Sequence, residues 1–234
     1  MPICKQCFQG FELRHLFHYW LPPALCIRCY QKLEWHQQLG RFLGFPMESL
    51  FDYGEHFQST IHQFKTLRDV VLGEVFLNQH RLYLRWKYHG YTLVPAPSHP
   101  LDTAQRGFFP LQEIWRDVGL PWLDAFEKRV PYRQAEQGTE ARHEIHSILT
   151  RKEGVTLPKR ILLIDDVMTS GETMKAMIGQ LATRERLLVK IFILARKKVE
   201  KNEITSANKN DKIITWKQQI WHGLKNSLNS KKNN

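Results

Sequence analysis

The chain has 234 residues, of which 42% are apolar and 24% charged, and it carries a formal net charge of +11. That length holds one ordinary core plus a small module and excludes three domains, and the composition excludes a collagen-like or fully disordered chain. The longest apolar stretch, Leu187 to Ala195, is broken by Lys190 and is far short of a membrane span, so no membrane insertion is expected. Met1-Pro2-Ile3-Cys4-Lys5 lacks a basic segment followed by an apolar one, so a cytoplasmic location is the expectation.

All four cysteines fall in the first 29 residues, as Cys4-x2-Cys7 and, after eighteen intervening residues, Cys26-x2-Cys29. Two residues between cysteines let a tight turn aim both thiolates at one ion, and a second such knuckle completes a tetrahedral shell of four sulfurs. Structural Zn²⁺ is the expectation, although iron in a rubredoxin-like site uses the same ligands. A module of this size buries too little apolar surface to fold alone, so the metal would supply much of its folding free energy. His15 and His18 lie between the knuckles and offer replacement ligands.

Ile27 to Phe42 reads as a short helix that Gly44-Phe45-Pro46 breaks. Ile61, Phe64, Leu67, Val71 and Phe76 then suggest one amphipathic helix over Ser59 to Leu77. Tyr91 to Val94 is a short strand ending in Pro95-Ala96-Pro97, and Leu111 to Val118 reads as helix. The polar, weakly periodic segment Arg133 to Arg151 predicts a long loop or hairpin, of the kind that often carries function. Arg160-Ile161-Leu162-Leu163-Ile164-Asp165 has the pattern of a strand buried on both faces and is expected at the centre of a parallel sheet. A helix from Gly171 to Ala182 and a strand from Leu187 to Leu194 complete a right-handed crossover of an α/β fold.

The chemistry concentrates between that strand and that helix. In open α/β sheets ligands bind beyond the carboxyl ends of strands, and Asp165 and Asp166 stand there, before Met168-Thr169-Ser170-Gly171-Glu172-Thr173. Hydroxyls from Thr169, Ser170 and Thr173, the bare backbone at Gly171 and the positive helix N-terminus form a cradle for phosphate. Two carboxylates would repel that phosphate, so they must face sugar hydroxyls, a Mg²⁺ ion or both. A phosphate at one end and carboxylates at the other describe a ribose 5-phosphate.

The last 38 residues, Lys197 to Asn234, hold nine Lys against three acidic residues, so +6 of the net charge sits there. A basic tail of this composition is a solvated extension or an attractor of nucleic acid. Within it Ile213, Trp216, Ile220, Trp221 and Leu224 share one helical face. Tyr19 and Trp20, near the cysteines, are further aromatic faces on which bases could stack.

The apolar strand, acidic pair and Thr/Ser-Gly-x-Thr turn resemble the signature of type I phosphoribosyltransferases. Together with the cysteine module, the chain resembles the ComF family of competence proteins from about Cys4 to Arg196. Val94-Pro95-Ala96-Pro97-Ser98-His99-Pro100 is similar to that family's Val-Pro-x-Pro-x-His-Pro segment, with Arg106-Gly107-Phe108 following. Phe64-Lys65 with Asp69, and Gln134 with Arg142, match two further segments in part. The departures are Arg68 where the family usually has Gly, Phe109-Pro110 in place of Asn-Gln, and Gln137-Gly138 in place of Leu-Ser.

The resemblance implies a type I phosphoribosyltransferase-like parallel sheet with helices on both faces behind a zinc-ribbon-like Cys4 module. The expected divisions are a metal module at 1–40, the phosphoribosyltransferase-like domain at 46–198 and a basic tail at 199–234. It further implies that Asp165 and Asp166 hold the ribose hydroxyls of phosphoribosyl pyrophosphate, with Mg²⁺, and that Thr169 through Thr173, Glu172 included, hold its 5′-phosphate. Pro97, Ser98, Arg106 and Arg142 become substrate contacts, with the arginines neutralising a departing diphosphate. The function implied is that of a DNA-uptake accessory protein of transformable bacteria, with single-stranded DNA and a DNA-translocating helicase as partners. A metabolic phosphoribosyltransferase and a nucleotide-sensing regulator are the rival readings, and no segment names a nucleobase.

Overall fold

The computed structural model describes residues 1–12, 23–129, 148–181 and 187–197. The first knuckle is a tight turn in which the Phe8 N–H donates to the Cys4 carbonyl at 2.9 Å, and Lys5 N–H donates to Ala24 O at 2.9 Å, tying it to the second knuckle. Helix α1 (Ile27–Lys32) leaves that second knuckle and stops far short of the helix expected to Phe42. The chain turns instead into a hairpin of β1 (Trp35–Phe42) and β2 (Phe45–Asp52). Leu43 (φ 48°) and Gly44 (φ 83°) make its two-residue connection, both left-handed, which matches the twist of paired strands. Pro46 breaks nothing, because it stands second in its strand, where a missing donor is tolerated.

The expected single helix over Ser59 to Leu77 is two helices, α2 (Glu55–Thr66) and α3 (Gly73–Leu77), with a 3-10 turn at Val70–Leu72 between them. The break falls at Leu67-Arg68-Asp69, where Arg68 takes φ 61°. A left-handed residue ends a right-handed helix, and glycine is the residue that adopts it without strain. The next elements are α4 (Arg81–Lys87), β3 (Thr92–Pro95), α5 (Pro100–Arg106) and α6 (Pro110–Trp115). An antiparallel pair follows, β4 (Phe126–Arg129) and β5 (Ile148–Arg151), of which β5 is the end of the segment expected as loop or hairpin. Then come β6 (Arg160–Met168), α7 (Glu172–Gly179) and β7 (Leu188–Arg196). The basic tail at 199–234, with the helical face expected within it, lies outside the described residues, as do Tyr19, Trp20, His15, His18, Gln134 and Arg142.

The main sheet runs β1-β2-β7-β6-β3, parallel except for the antiparallel β1–β2 pair. Strand β7, not β6, occupies the middle; β6 lies between β7 and β3. Ile161 to Ile164 and Ile191 to Ala195 are wholly or almost wholly buried, as expected for inner strands covered on both faces. Aromatic pairs knit helices to sheet, with Trp115 edge-on to Phe192 at 4.9 Å and a chain Phe51, Phe57, Phe76, Phe64, Phe108 at centroid separations of 5.2 to 5.9 Å.

Contacts with the helices seat the cysteine knuckles. Lys5 pairs with Glu74, Gln6 Nε2 donates to Thr60 Oγ1 at 2.9 Å, and Tyr30 Oη meets His80 Nε2 at 3.1 Å. The His80 ring stacks on Trp35 at 5.6 Å, and burial lowers its pKa to about 4, so it is neutral. Among the described residues no helix is long and apolar enough to cross a membrane.

Candidate functional site

The parallel strands β2, β7, β6 and β3 end on one side of the sheet, and the phosphate loop stands there. Successive residues of a strand point to opposite faces, so Asp165 and Asp166 diverge. Asp166 is buried and ion-pairs with Lys65, the penultimate residue of α2. Asp165 accepts the Asp166 backbone N–H through Oδ1 at 2.9 Å. Burial, reinforced by the Asp166 carboxylate, pushes the Asp165 carboxyl up from 3.8 to about 7, although Lys65 and Lys128 act to lower it. The pair thus stores like-charge repulsion that a cation or hydroxyl donors would relieve.

After Met168 the chain exposes Thr169 and Ser170, then turns at Gly171, which caps α7 with φ 77° and offers no side chain to its N–H groups. A Cβ at Gly171 would lie 2.7 Å from Phe42 Cζ, so glycine is required by conformation and by space. Phe42 ends β1, and the hairpin is fixed beside the loop by polar contacts. Gln38 Nε2 donates to Asp52 Oδ1 at 2.7 Å, and Arg196 Nε donates to Gln38 Oε1 at 2.7 Å. Thr173 is half-buried in the first turn of α7, while Glu172 is exposed and pairs with Lys175 at 2.6 Å.

Pro97 and Ser98 follow β3, which Ala96 N–H ties to Ile164 O at 2.8 Å. Both line a cavity of about 490 Å³ that extends between α5, α6 and the β4–β5 pair, past Phe109, Trp122, Lys128 and Lys152. Arg106, at the end of α5, faces Asp102 at 3.7 Å. The structure therefore gathers Asp165 and Asp166, on the last part of β6, with Thr169 to Thr173, which lead into α7, and sets Pro97 and Ser98 beyond the end of the neighbouring strand. Sequence reasoning did not find the Lys65 pair with Asp166 or the Phe42 contact with Gly171. Lys65 stood in a recognisable segment, but Phe42 had no local signal.

The sulfur atoms of Cys4, Cys7, Cys26 and Cys29 lie within 4.8 Å of one another, and none is in a disulfide. Cys7 and Cys26 Sγ are 3.9 Å apart. Ligands at about 2.3 Å in a tetrahedron have sulfurs roughly 3.8 Å apart, so the cluster fits such an ion. Burial opposes ionisation of Cys4, but backbone N–H groups of Cys26, Cys7 and Gln6 outweigh it and bring the thiol down to about 7. Burial and the neighbouring thiols raise Cys29.

A family model for the phosphoribosyl transferase domain matches residues 104–223. Among solved structures the chain is similar to adenine phosphoribosyltransferase from Leishmania donovani, 13% identical, covering 83% of this chain and 92% of that one with a TM-score of 0.34. Another is the adenine enzyme from Trypanosoma brucei, 14% identical, covering 79% and 98%, with a TM-score of 0.35. The family match, over about half of the chain, makes this a phosphoribosyltransferase-type domain. Competence protein ComFC of Streptococcus pneumoniae (strain ATCC BAA-255 / R6) is 30% identical over 154 residues, which cover 66% of this chain and 70% of that protein. The chain belongs to the ComF family of competence proteins, with a phosphoribosyltransferase-like domain and a cysteine cluster able to hold a metal.

Proposed function

We propose that the chain is an accessory protein of DNA uptake that binds phosphoribosyl pyrophosphate, or a related sugar phosphate, at the β6–α7 loop. The observation that carries this reading is the adjacent carboxylates of Asp165 and Asp166 at the end of β6, Asp165 raised by burial, followed by a glycine turn into α7 whose N-terminus accepts no side-chain cap. Thr169, Ser170 and Thr173 would take the 5′-phosphate through hydroxyl and backbone donors, with Gly171 admitting close approach. Asp165 and Asp166 would hold the ribose hydroxyls and a Mg²⁺ ion. That ion would supply charge neutralisation for the diphosphate. Pro97 and Ser98, and Arg106 and Arg142, are proposed for the pyrophosphate side. Zn²⁺ in the four-cysteine shell would fix the knuckles at residues 1–40 against the domain at 46–198.

Single-stranded DNA and a DNA-translocating helicase are the proposed macromolecular partners, and the cytoplasm is the proposed location. The likeness to ComFC supports them, and so does the positive charge of the chain. Thermal unfolding tests the ligand. Phosphoribosyl pyrophosphate with Mg²⁺ should raise the melting temperature of the wild type and leave Asp165→Ala/Asp166→Ala unchanged. Equal shifts in both proteins would place the ligand elsewhere. Pyrophosphate release over a panel of bases separates a binding role from a working transferase.

A further inference from the structure

We propose that the exposed face of α4, together with Arg160, is a platform on which single-stranded nucleic acid stacks. The proposal rests on the reading that the chain handles single-stranded DNA, and it names the surface that does so. This surface stands at the opposite end of the sheet from the phosphate loop. Arg160 begins β6 and Met168 ends it, roughly 27 Å away at about 3.3 Å per residue.

Trp86 is 76% exposed and Leu82, one turn earlier, 49%. Leu82 and Trp86, one turn apart, make an outward stripe, with exposed Arg85 beside it and exposed His89 in the turn that follows α4. A single exposed Leu needs no explanation, but an indole this far in solvent forgoes the burial that is the ordinary fate of its ring. Two arginines belong to the same region, Arg85 next to Trp86 in α4 and Arg160 at the turn that follows the helix. The Arg85 guanidinium lies against the turn at Gly119, where a Cβ would be 3.5 Å from it, and the Arg160 guanidinium lies against Gly90, where a Cβ would be 3.2 Å away. Arg160 also covers the Tyr91 ring at 5.5 Å, and Lys190 approaches the same ring at 4.8 Å.

The charge is not balanced by the helix itself. No Asp or Glu occurs from Val75 to Leu101, while Arg81, Arg85 and Lys87 do. Lys87 is committed to buried Glu48 at 2.7 Å. Among the described residues Arg81, Arg85 and Arg160 are paired with no carboxylate, and the adjoining turn adds one acid, Asp117. A partner for this face must be anionic and must also present flat apolar rings. Single-stranded nucleic acid offers both, phosphates to the guanidinium groups and an unpaired base to Trp86, whereas a duplex keeps its base faces stacked inside.

The test is fluorescence anisotropy of the full chain with a labelled oligothymidylate over a range of salt. Trp86→Ala should weaken binding by roughly 5- to 150-fold, the loss of one stacked base, and Trp86→Phe should restore most of it. Arg85→Glu and Arg160→Glu should each lower the salt slope by about 0.7 for a lost phosphate contact. Because these side chains are exposed, the melting temperature and the response to phosphoribosyl pyrophosphate should stay at wild-type values. If the wild type binds and all three variants bind equally well, the platform is wrong while the DNA reading stands. If the wild type binds no oligonucleotide at low salt, the DNA reading fails and the platform with it. Loss of self-association in Trp86→Ala with unchanged oligonucleotide affinity would assign the face to a protein contact and overturn the proposal.

Discussion

Replacing Asp165 by Asn should make the protein more stable, in a way that depends on pH. The folded chain holds the Asp165 proton up to about 7, against 3.8 for an ordinary aspartate. Between those values folding takes up a proton, so the wild type loses stability as pH rises through the window, and above it the cost is constant. About three units at 1.36 kcal/mol each set a ceiling of roughly 4 kcal/mol. Polarisable surroundings and the half-buried position reduce this, and about 2 kcal/mol is expected. Asn keeps an Oδ1 acceptor for the Asp166 N–H at 2.9 Å, so the substitution removes charge without orphaning that donor. Urea unfolding at about pH 8 should show Asp165→Asn ahead of the wild type, with the gap closing towards about pH 4.5. Asp166→Asn should behave differently, because it leaves Lys65 half-buried without its partner. Equal stabilities of wild type and Asp165→Asn at the higher pH would refute the view that the acidic pair is held at a cost for a ligand.

Three further substitutions probe the scaffold. Arg68→Gly should stabilise the chain by about 1 kcal/mol in chemical denaturation, since Arg68 sits at φ 61° where glycine is unstrained. Gly171→Ala should destabilise by roughly 1 to 2 kcal/mol through its φ of 77° and its clash with Phe42. Adding Phe42→Ala should recover the steric part only, as a double-mutant cycle would record. Purified wild type should contain about one zinc by elemental analysis, and Cys29→Ser should lose the metal together with several degrees of melting temperature. Stoichiometric iron would reassign the site.

Local features of the sequence proved legible, and non-local ones did not. The cysteine knuckles and the run from Ile161 to Thr173 carry their meaning within a few residues: ligand spacing, branched apolar side chains, an acidic pair and a glycine turn. Strand β1 has no strand signal of its own, because Trp35 to Phe42 includes His36, Gln37, Gln38 and Gly40 and shows no alternation. Its strand character comes from pairing with β2, which in turn pairs with β7, far away in sequence. The split of the helix after Thr66 depends on one residue, Arg68, whose side chain predicts nothing about its backbone. Lys65 with Asp166, and Phe42 with Gly171, meet only once the hairpin and α2 have packed around the strand ends. The same holds for β7, whose position in the middle of the sheet is a property of topology and not of composition.

Whether the β6–α7 loop binds phosphoribosyl pyrophosphate is decided by isothermal titration calorimetry in the presence of Mg²⁺. Wild-type protein should give a saturating isotherm. Asp165→Ala/Asp166→Ala should abolish it, and Thr173→Val should weaken it by roughly 10- to 150-fold, the worth of a hydrogen bond to a charged group. Absence of saturable heat from the wild type at millimolar ligand, or an isotherm unchanged in the double alanine variant, would rule this loop out as the binding site.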